Sequence, residues 1–379
     1  MPLPDNMPKN RLLIACAGSG KTTYLVKEAL NIKDKNILIT TYTDTNTEEI
    51  YNKFIEVNNC VPKNITIQTW FSFLLQHGVR PYQSVMDSKL YDKKIGFFFC
   101  EDKSGFRYEY AGKKTYWGEK DFYHYYFTEG LKIYSDKISK FIFNCNKKTK
   151  KELINRLSRI YPYIFIDEVQ DLAGWDLEIL KLLFDTKSNI LLVGDPRQTT
   201  YSTHWDTKNS NYKRGNIVDF IKNECPTANC EPDYITLNKS HRNNQEICIF
   251  SSKLFKEYPL TEPCVCPECR NNHPEHTGIF LVRKCDAEKY CKEFRPTILK
   301  LRLAIFPEWN FGKSKGKTFN NVLIYPTEDM TEWVKNNETI LKFLTRCKFY
   351  VAITRARYSV GIIYDYQDRD IFDGIKKYS

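Results

Sequence analysis

The chain has 379 residues, of which 42% are hydrophobic and 27% charged, and its net charge is +11. This composition excludes a disordered polyelectrolyte and is sufficient for two or three domains with buried cores. The basic excess favours a polyanionic partner such as nucleic acid, although a lysine-rich coding bias would give the same charge.

The chain contains thirteen cysteines, most of them single residues within apolar segments, as Cys16, Cys248 and Cys347 are. This distribution is typical of reduced thiols in a core and argues against a dense disulfide framework. The start of the sequence, MPLPDNMPKN, has no apolar run typical of a signal peptide, and no segment is long and apolar enough to span a bilayer. We therefore expect a cytoplasmic protein with no membrane partner.

Short apolar runs typical of buried strands alternate with segments of helical spacing along the whole chain. The strand-like runs are residues 12–16, 37–41, 65–68, 163–167, 190–194, 234–237, 278–282, 322–325 and 359–364. Such alternation predicts an α/β fold with parallel sheets that helices cover on both faces. We expect two α/β halves, residues 1–210 and 211–379, with segments 78–150 and 259–277 interrupting the alternation.

The first strand leads directly into ACAGSGKTT at residues 15–23, which precedes a helical segment. Glycines in such a loop permit a tight turn whose N–H groups point at phosphate oxygens, and the helix start adds a positive dipole end. Lys21 then reaches the β- and γ-phosphates, and Thr22 ligates Mg²⁺. The predicted nucleotide-binding residues are Ala17, Gly18, Ser19, Gly20, Lys21, Thr22 and Thr23.

A second motif, YIFIDEVQD at residues 163–171, ends an apolar strand with acidic residues. Ligands gather at the carboxyl ends of strands in open α/β sheets. Asp167 is therefore predicted to hold Mg²⁺, and Glu168 to position and deprotonate the attacking water. The alternative is a strand that ends in two solvated acids. Hydrolysis alone does not explain Gln170 and Asp171.

Together with these two motifs, further segments resemble the ordered motifs of UvrD/Rep-like superfamily 1 helicases, in compact form. They are ITTYTDTNTEEI (39–50), IQTWFSF (67–73), LLVGDPRQTTY (191–201), TLNKSHRN (236–243), FGKSKGKTFNNVLIYP (311–326) and FYVAITRAR (349–357). The resemblance implies two RecA-like P-loop NTPase domains, with the P-loop and acidic motif in residues 1–210 and arginine fingers in residues 211–379.

The resemblance also implies roles for catalytic residues. Gln198 is expected to sense the γ-phosphate, and Arg242 and Arg355 are expected to act as arginine fingers. Guanidinium groups suit that role because they stabilise charge on the γ-phosphate oxygens. Taken singly, each arginine has the alternative of being a surface cation.

For nucleic acid, the resemblance implies that Tyr42 and Tyr201 stack on bases. Aromatic stacking of this kind tolerates any base sequence. The remaining predicted DNA-binding residues are Thr69, Trp70, Lys313, Ser314 and Lys315. For Trp70, as for Phe71 and Phe73, the alternative is packing at the start of a buried helix.

Full-length relatives carry two bulky accessory domains, whereas segment 78–150 has room only for a reduced one. This segment mixes Lys and Arg with many aromatic residues, as in GKKTYWGEKDFYHYYF. It forms either a groove that grips single strands or a small subdomain with its own aromatic core.

The loop 259–277 contains PCVCPECRNNHPEH, a cluster of soft metal ligands. The candidates for a structural Zn²⁺ site are Cys264, Cys266, Cys269, His273 and His276. Four of them would close a tetrahedral site. A metal-free loop is the alternative, because the spacing is irregular.

Two functions follow from these motifs. The first is an ATP- and Mg²⁺-dependent translocase or DNA helicase of UvrD type, stimulated by single-stranded or tailed DNA, with 3′→5′ polarity implied by the resemblance. The alternative is an ATPase switch subunit that senses DNA and gates a partner, such as a nuclease of a phage-defence or mobile-element system, with little unwinding of its own.

Overall fold

A computed structural model of the protein describes residues 9–200, 207–270 and 274–379. The chain divides into two compact units. The first comprises Met1–Leu12, Thr22–Gly194 and Ser202–Pro232, and the second comprises Leu13–Lys21, Asp195–Tyr201 and Asp233–Ser379. The phosphate loop and the segment after the strand at 189–194 thus belong to the second unit.

Strands and helices alternate along the first unit, as the sequence predicts. The strands are β1 (Asn10–Ile14), β2 (Ile37–Thr41), β3 (Ile65–Thr69), β4 (Gly96–Phe98), β5 (Phe106–Tyr110), β6 (Lys113–Tyr116), β7 (Lys132–Tyr134), β8 (Tyr163–Ile166), β9 (Asn189–Gly194) and β10 (Pro232–Asp233). The helices are α1 (Lys21–Leu30), α2 (Asp44–Asn58), α3 (Trp70–Phe73), α4 (Gln83–Met86), α5 (Phe122–Tyr126), α6 (Ile138–Lys148), α7 (Glu152–Ile160), α8 (Trp175–Phe184) and α9 (Ile217–Glu224).

A six-stranded sheet with the order β10-β1-β9-β8-β2-β3 forms the centre of the first unit. The pairs β2–β3, β2–β8 and β8–β9 are parallel. The residues of β2, β8 and β9 are mostly apolar and buried, as expected for strands with helices on both faces. Because the strands are parallel, the segments that follow β2, β3 and β8 emerge at one edge of the sheet.

The insertion at residues 78–150 has a small core of its own and an exposed arm. Tyr126, Phe127 and Phe141 are buried and pack against one another with ring centroids 5.3–6.3 Å apart. The antiparallel hairpin β5–β6 extends from this core, and every residue of β5 is exposed. The alternative of a small subdomain with its own aromatic core therefore describes part of this segment, and the groove that grips single strands stays a prediction.

The second unit contains a second parallel sheet. The strands of this unit are β11 (Lys239–Ser240), β12 (Glu262–Pro263), β13 (Gly278–Val282), β14 (Thr297–Lys300), β15 (Trp309–Asn310), β16 (Phe319–Tyr325), β17 (Ala356–Ile363) and β18 (Lys376–Lys377). Strands β11 and β12 form a separate two-stranded sheet. Its helices are α10 (Gln245–Ser252), α11 (Pro267–Arg270), α12 (Ala287–Phe294), α13 (Glu328–Lys335) and α14 (Phe343–Ile353).

The six-stranded sheet of this unit has the order β15-β14-β16-β17-β13-β18, and all its strand pairs are parallel. Helices α10, α13 and α14 contribute buried side chains to the core over this sheet, including Phe250, Trp333 and Tyr350. The predicted α/β class with parallel sheets is thus confirmed. Within the part of the chain that the structure describes, no helix has the length and apolarity needed to cross a bilayer.

Candidate nucleotide and nucleic-acid sites

The phosphate loop connects β1 to α1, which is the local order that the sequence predicts. Gly18 and Gly20 adopt φ values of 72° and 78°, in the left-handed region that favours glycine. A Cβ atom on Gly18 would lie 2.7 Å from Cβ of Arg242 and 2.9 Å from Oγ of Ser240. Gly18 is therefore required both for the turn and for the close approach of another segment.

That segment is the turn at residues 240–243, within the second unit. Ser240 Oγ donates a hydrogen bond to the carbonyl of Ala17 over 2.8 Å, and the N–H of His241 donates to the carbonyl of Gly18 over 2.8 Å. These bonds place Arg242 beside the phosphate loop. The structure thus brings together two regions that the sequence analysis assigned to one nucleotide site.

A hydrogen-bonded path also connects the phosphate loop to the second predicted finger. The N–H of Ala17 donates to the hydroxyl of Tyr350 (3.3 Å), which donates to Oδ2 of Asp195 (3.4 Å). The amide of Gln198 donates to the same oxygen (2.9 Å), and Arg355 Nη2 donates to Oε1 of Gln198 (3.2 Å). Tyr350 and Asp195 were absent from the predicted site and link its parts.

Arg197 holds Asp195 in place. Its Nε donates to Oδ1 of Asp195 over 2.7 Å, and its Nη2 donates to the carbonyl of Ala15 over 2.8 Å. The guanidinium lies 5.2 Å from the ring centroids of both Tyr258 and Tyr350. Burial raises the pKa of Tyr350 well above its ordinary value, so its hydroxyl stays protonated and able to donate.

Arg355 is almost fully buried, with 1% of its surface exposed. Its Nε donates to the carbonyl of Val351 (3.1 Å) and its Nη1 to the carbonyl of Lys317 (3.3 Å). Arg242 is half-buried and donates from Nη1 to the carbonyl of Thr354 over 3.2 Å. Arg355 is therefore no surface cation, since a buried guanidinium requires such partners.

The acidic motif lies at the end of β8 in the first unit. Asp167 and Glu168 are buried, with 5% and 9% of their surfaces exposed, so they are not solvated acids. Asp167 Oδ1 accepts a hydrogen bond from the N–H of Glu168 over 2.9 Å. Glu168 has a φ of 54°, an uncommon conformation for a residue with a side chain and one that clusters at functional sites.

Gln170, which the sequence motif left unexplained, fixes the carboxylate of Glu168. Its side-chain amide donates a hydrogen bond to Oε2 of Glu168. A Cβ atom on Gly194 would lie 2.3 Å from Oε1 of Gln170, so the amide packs directly on the end of β9. The structure assigns Gln170 as a positioning residue for the predicted base.

The predicted Mg²⁺ ligand Thr22 lies in the first turn of α1. Its hydroxyl donates to Oε1 of Glu49 over 3.3 Å, and Glu49 is an exposed residue of α2. Thr23 is half-buried in the same turn. Glu49 is not among the residues predicted from sequence, since an acid on a helix face carries no local motif.

A groove of about 350 Å³ lies at the carboxyl edge of the first sheet. It is lined by Tyr42, Thr43, Asp44, Thr69, Phe71, Ser72, Leu75, Phe97 and Phe99. The ring of Phe71 lies 5.1 Å from Tyr42, 5.0 Å from Phe97 and 6.3 Å from Phe99, centroid to centroid. The insertion thus completes an aromatic groove that begins at two predicted DNA-binding motifs.

Trp70 does not line this groove. It is 1% exposed and packs against Phe73 with a centroid distance of 5.7 Å. Trp70 is therefore a packing residue at the start of a buried helix, which was the alternative to DNA binding. Thr69 lines the groove, and its hydroxyl caps α3 by accepting from the N–H of Ser72 over 3.2 Å. The predicted residue Tyr201 lies outside the described residues.

The three predicted phosphate contacts at 313–315 differ in exposure. Lys313 is exposed and Lys315 half-buried. Ser314 is fully buried, and its hydroxyl donates to the carbonyl of Phe311 over 2.7 Å. Ser314 therefore serves the turn at Gly312–Ser314 in this structure, and its hydroxyl is not directed at a phosphate.

The predicted metal ligands separate into two groups. Cys264, Cys266 and Cys269 lie together with His241, which the sequence analysis did not include. His276 lies elsewhere, stacked between Phe280 and Phe294 with centroids 4.1 and 3.6 Å away. His273 falls outside the described residues.

Comparisons with known proteins agree with the motif series. Residues 105–214 match the UvrD/REP helicase N-terminal domain. The chain is 27% identical over 334 residues to a probable DNA helicase II homolog of Mycoplasma capricolum subsp. capricolum, an alignment that covers 76% of this chain and 43% of that protein. It is 27% identical over 423 residues to a probable DNA helicase of Mycoplasma pneumoniae, covering 90% of this chain and 78% of that protein.

A solved structure, the arterivirus nonstructural protein 10 (helicase) with DNA, aligns over 95% of this chain and 61% of its own, with 14% identity and a TM-score of 0.44.

The fold and the phosphate loop define a P-loop NTPase of the α/β class. In its sequence, the chain is similar to UvrD-like helicases of superfamily 1. The chain spans less than half the length of its Mycoplasma capricolum relative.

Proposed function

We propose that this chain is an ATP-dependent translocase or DNA helicase of UvrD type that single-stranded DNA stimulates. The observation that carries the proposal is the hydrogen-bonded path from the phosphate loop to Arg355 through Tyr350, Asp195 and Gln198. Through such a path, Gln198 can change its hydrogen bonds when the bound nucleotide changes. A motor requires this kind of conformational response to the nucleotide state.

The residues present fit a nucleoside triphosphate with Mg²⁺. The left-handed glycines Gly18 and Gly20 leave no side chain where phosphate oxygens approach, and Lys21 begins the helix that points at them. Thr22 and the buried carboxylate of Asp167 would hold Mg²⁺, which when bound neutralises phosphate charge.

Hydrolysis requires a base and a counter-charge. Glu168 would accept the proton of the attacking water, and Gln170 keeps its carboxylate aimed. Arg242 and Arg355 would stabilise charge on the γ-phosphate oxygens, a contribution of roughly a thousandfold or more in related transfer reactions. We assign these fingers to the RecA-like domain 211–379 and the acids to the domain 1–210.

Single-stranded DNA would occupy the aromatic groove around Phe71. Tyr42, Phe97 and Phe99 present ring faces or edges there, and stacking on such rings is independent of base sequence. On the exposed hairpin β5–β6 of the same insertion, Arg107 lies 4.3 Å from the ring of Trp117. Basic and aromatic side chains together are the composition that single strands require.

The alternative function is an ATPase switch that gates a partner. One observation favours it: among the described residues between α10 and β13, the chain forms only the two-residue β12 and the four-residue α11. Related helicases of this type carry an accessory domain in that position, and such domains grip the duplex.

ATP turnover measured without nucleic acid, with single-stranded DNA and with single-stranded RNA tests the proposal, with Lys21→Ala as the background. We expect stimulation by DNA and none in Lys21→Ala. Turnover that DNA leaves unchanged would refute the translocase. A 3′-tailed duplex that stays intact while DNA-stimulated ATP turnover continues would favour the switch.

A further inference from the structure

Four soft metal ligands converge in the second unit. Nδ1 of His241 and the Sγ atoms of Cys264, Cys266 and Cys269 all lie within 4.8 Å of one another. Measured pairs include Cys264–Cys266 at 2.8 Å, His241–Cys266 at 3.2 Å, Cys266–Cys269 at 3.5 Å and His241–Cys269 at 3.6 Å. The cluster is partly enclosed, since Cys264 is buried and the other two sulfurs are half-buried.

The local fold produces this cluster from two distant segments. Strands β11 and β12 pair in parallel, with Ser240 opposite Pro263. The pairing continues one residue further, because the N–H of Cys264 donates to the carbonyl of Ser240 over 2.9 Å. His241 therefore emerges beside Cys264, and α11 carries Cys269 back to the same point.

We propose that His241, Cys264, Cys266 and Cys269 form a structural zinc site. A tetrahedral Zn²⁺ with Zn–S of about 2.3 Å and Zn–N of about 2.0–2.1 Å separates its ligand atoms by roughly 3.5–3.8 Å. The measured separations of 2.8–3.6 Å lie within or just below this range, so small outward side-chain shifts complete the geometry. Three thiolates and one imidazole leave no open position, which is the arrangement of a structural and not a catalytic site.

The site has a consequence for the nucleotide loop. His241 stands between Ser240 and Arg242, and its own N–H donates to the carbonyl of Gly18. A metal on Nδ1 of His241 therefore fixes the loop 259–277 to the turn that carries Arg242. The effect on ATP turnover depends on the proposed function, whereas metal binding does not.

The test is the zinc content of the full-length protein, purified without a metal-affinity tag and measured by inductively coupled plasma mass spectrometry. The variants are His241→Ala, Cys266→Ser and Cys269→Ser, and the matched control is Cys285→Ser at an exposed cysteine of the same unit. We expect stoichiometric zinc in wild type and control, and its loss in the three variants. His273→Ala should retain zinc.

Zinc-free wild-type protein that also fails to bind added Zn²⁺ or Co²⁺ would overturn the proposal, as would a mass lower by two hydrogens that reveals a disulfide between these cysteines. Zinc that persists in His241→Ala but disappears in His273→Ala would overturn the ligand set. Because a variant may fail to fold, the visible spectrum of wild-type protein loaded with Co²⁺ provides an independent reading of tetrahedral thiolate ligation. Loss of zinc with normal ATP turnover would remove the link to Arg242.

Discussion

Arg355 donates a hydrogen bond from Nη2 to Oε1 of Gln198 over 3.2 Å, and both side chains are buried. The amide of Gln198 is thereby held at both ends, because its Nε2 donates to Asp195. A charged donor strengthens such a bond in a dry environment. Any change in the nucleotide that draws Arg355 away must therefore release Gln198, so the two residues are expected to act as one switch.

Replacing Arg355 by Lys keeps the charge but loses the forked guanidinium that contacts Gln198, Val351 and Lys317. We expect kcat for ATP to fall on the order of a hundredfold or more, since arginine and lysine differ in bidentate geometry. The matched control is Arg357→Lys, at an exposed position nearby. The measurement is the steady-state rate of ATP turnover of both variants. Equal rates would show that Arg355 does not act as an arginine finger.

Tyr350→Phe removes the hydroxyl that accepts from Ala17 and donates to Asp195. A hydrogen bond contributes about 0.5–1.5 kcal/mol net, so KM for ATP should rise roughly twofold to thirteenfold while the fold persists. Tyr364→Phe is the control in the same unit. A KM unchanged from wild type in Tyr350→Phe would show that the path through Tyr350 does not support the phosphate loop.

Gly18→Ala and Gly112→Ala form a matched pair, because their φ values are 72° and 73°. Only at Gly18 does a Cβ meet neighbours, at 2.7 and 2.9 Å, whereas nothing lies within 4 Å at Gly112. Both variants should lose about 1–2 kcal/mol through the left-handed backbone. ATP affinity, measured by isothermal titration calorimetry, should fall at least about tenfold only in Gly18→Ala, through the added clash. A similar fall in Gly112→Ala would refute the packing argument.

Phe99→Ala removes an aromatic side chain, 59% exposed, from the groove around Phe71. If a base stacks there, affinity for single-stranded DNA should fall by about 1–3 kcal/mol, or roughly fivefold to 150-fold. Tyr91→Ala, at a residue of the same insertion that is 81% exposed and does not line the groove, is the control. Fluorescence anisotropy with labelled oligonucleotides measures both, and equal losses would argue against the groove.

Acid should destabilise the second unit through His276. Burial lowers the pKa of His276 from 6.5 to about 4, although Glu293 opposes the shift. The unfolded chain therefore binds more protons between these values, so stability falls as the pH drops from 6.5 towards 4. His276→Phe keeps the aromatic stack between Phe280 and Phe294. Its melting temperature should fall less than that of wild type as the pH drops over this interval. Identical pH profiles would contradict a neutral buried imidazole.

The phosphate loop and the acidic motif were predictable because each is contiguous and its chemistry follows from local spacing. The parallel sheets were predictable for the same reason, since apolar runs and helical segments alternate within short windows. The resemblance of the motif at 349–357 predicts a finger role for Arg355, whereas its burial, with 1% of its surface exposed, is not evident from any local pattern.

The remaining features arise from contacts between distant segments. Trp70 and Phe71 are adjacent and equally aromatic, but only Phe71 lines the groove, because the register of α3 decides which ring faces the core. His241 was not predicted as a metal ligand, because it is far from Cys264 in the sequence. The two residues become neighbours only through the pairing of β11 with β12. Gln170 holds the carboxylate of Glu168 by a hydrogen bond, and its amide is itself packed against the distant Gly194.

The most direct measurement is the ratio of ATP turnover with saturating single-stranded DNA to turnover without it, in wild type and in Gln198→Ala. If the path from Ala17 to Arg355 couples the nucleotide to the DNA groove, wild type shows a ratio well above unity and Gln198→Ala a ratio close to unity with ATP still bound. A Gln198→Ala variant that DNA stimulates as strongly as wild type would contradict the account.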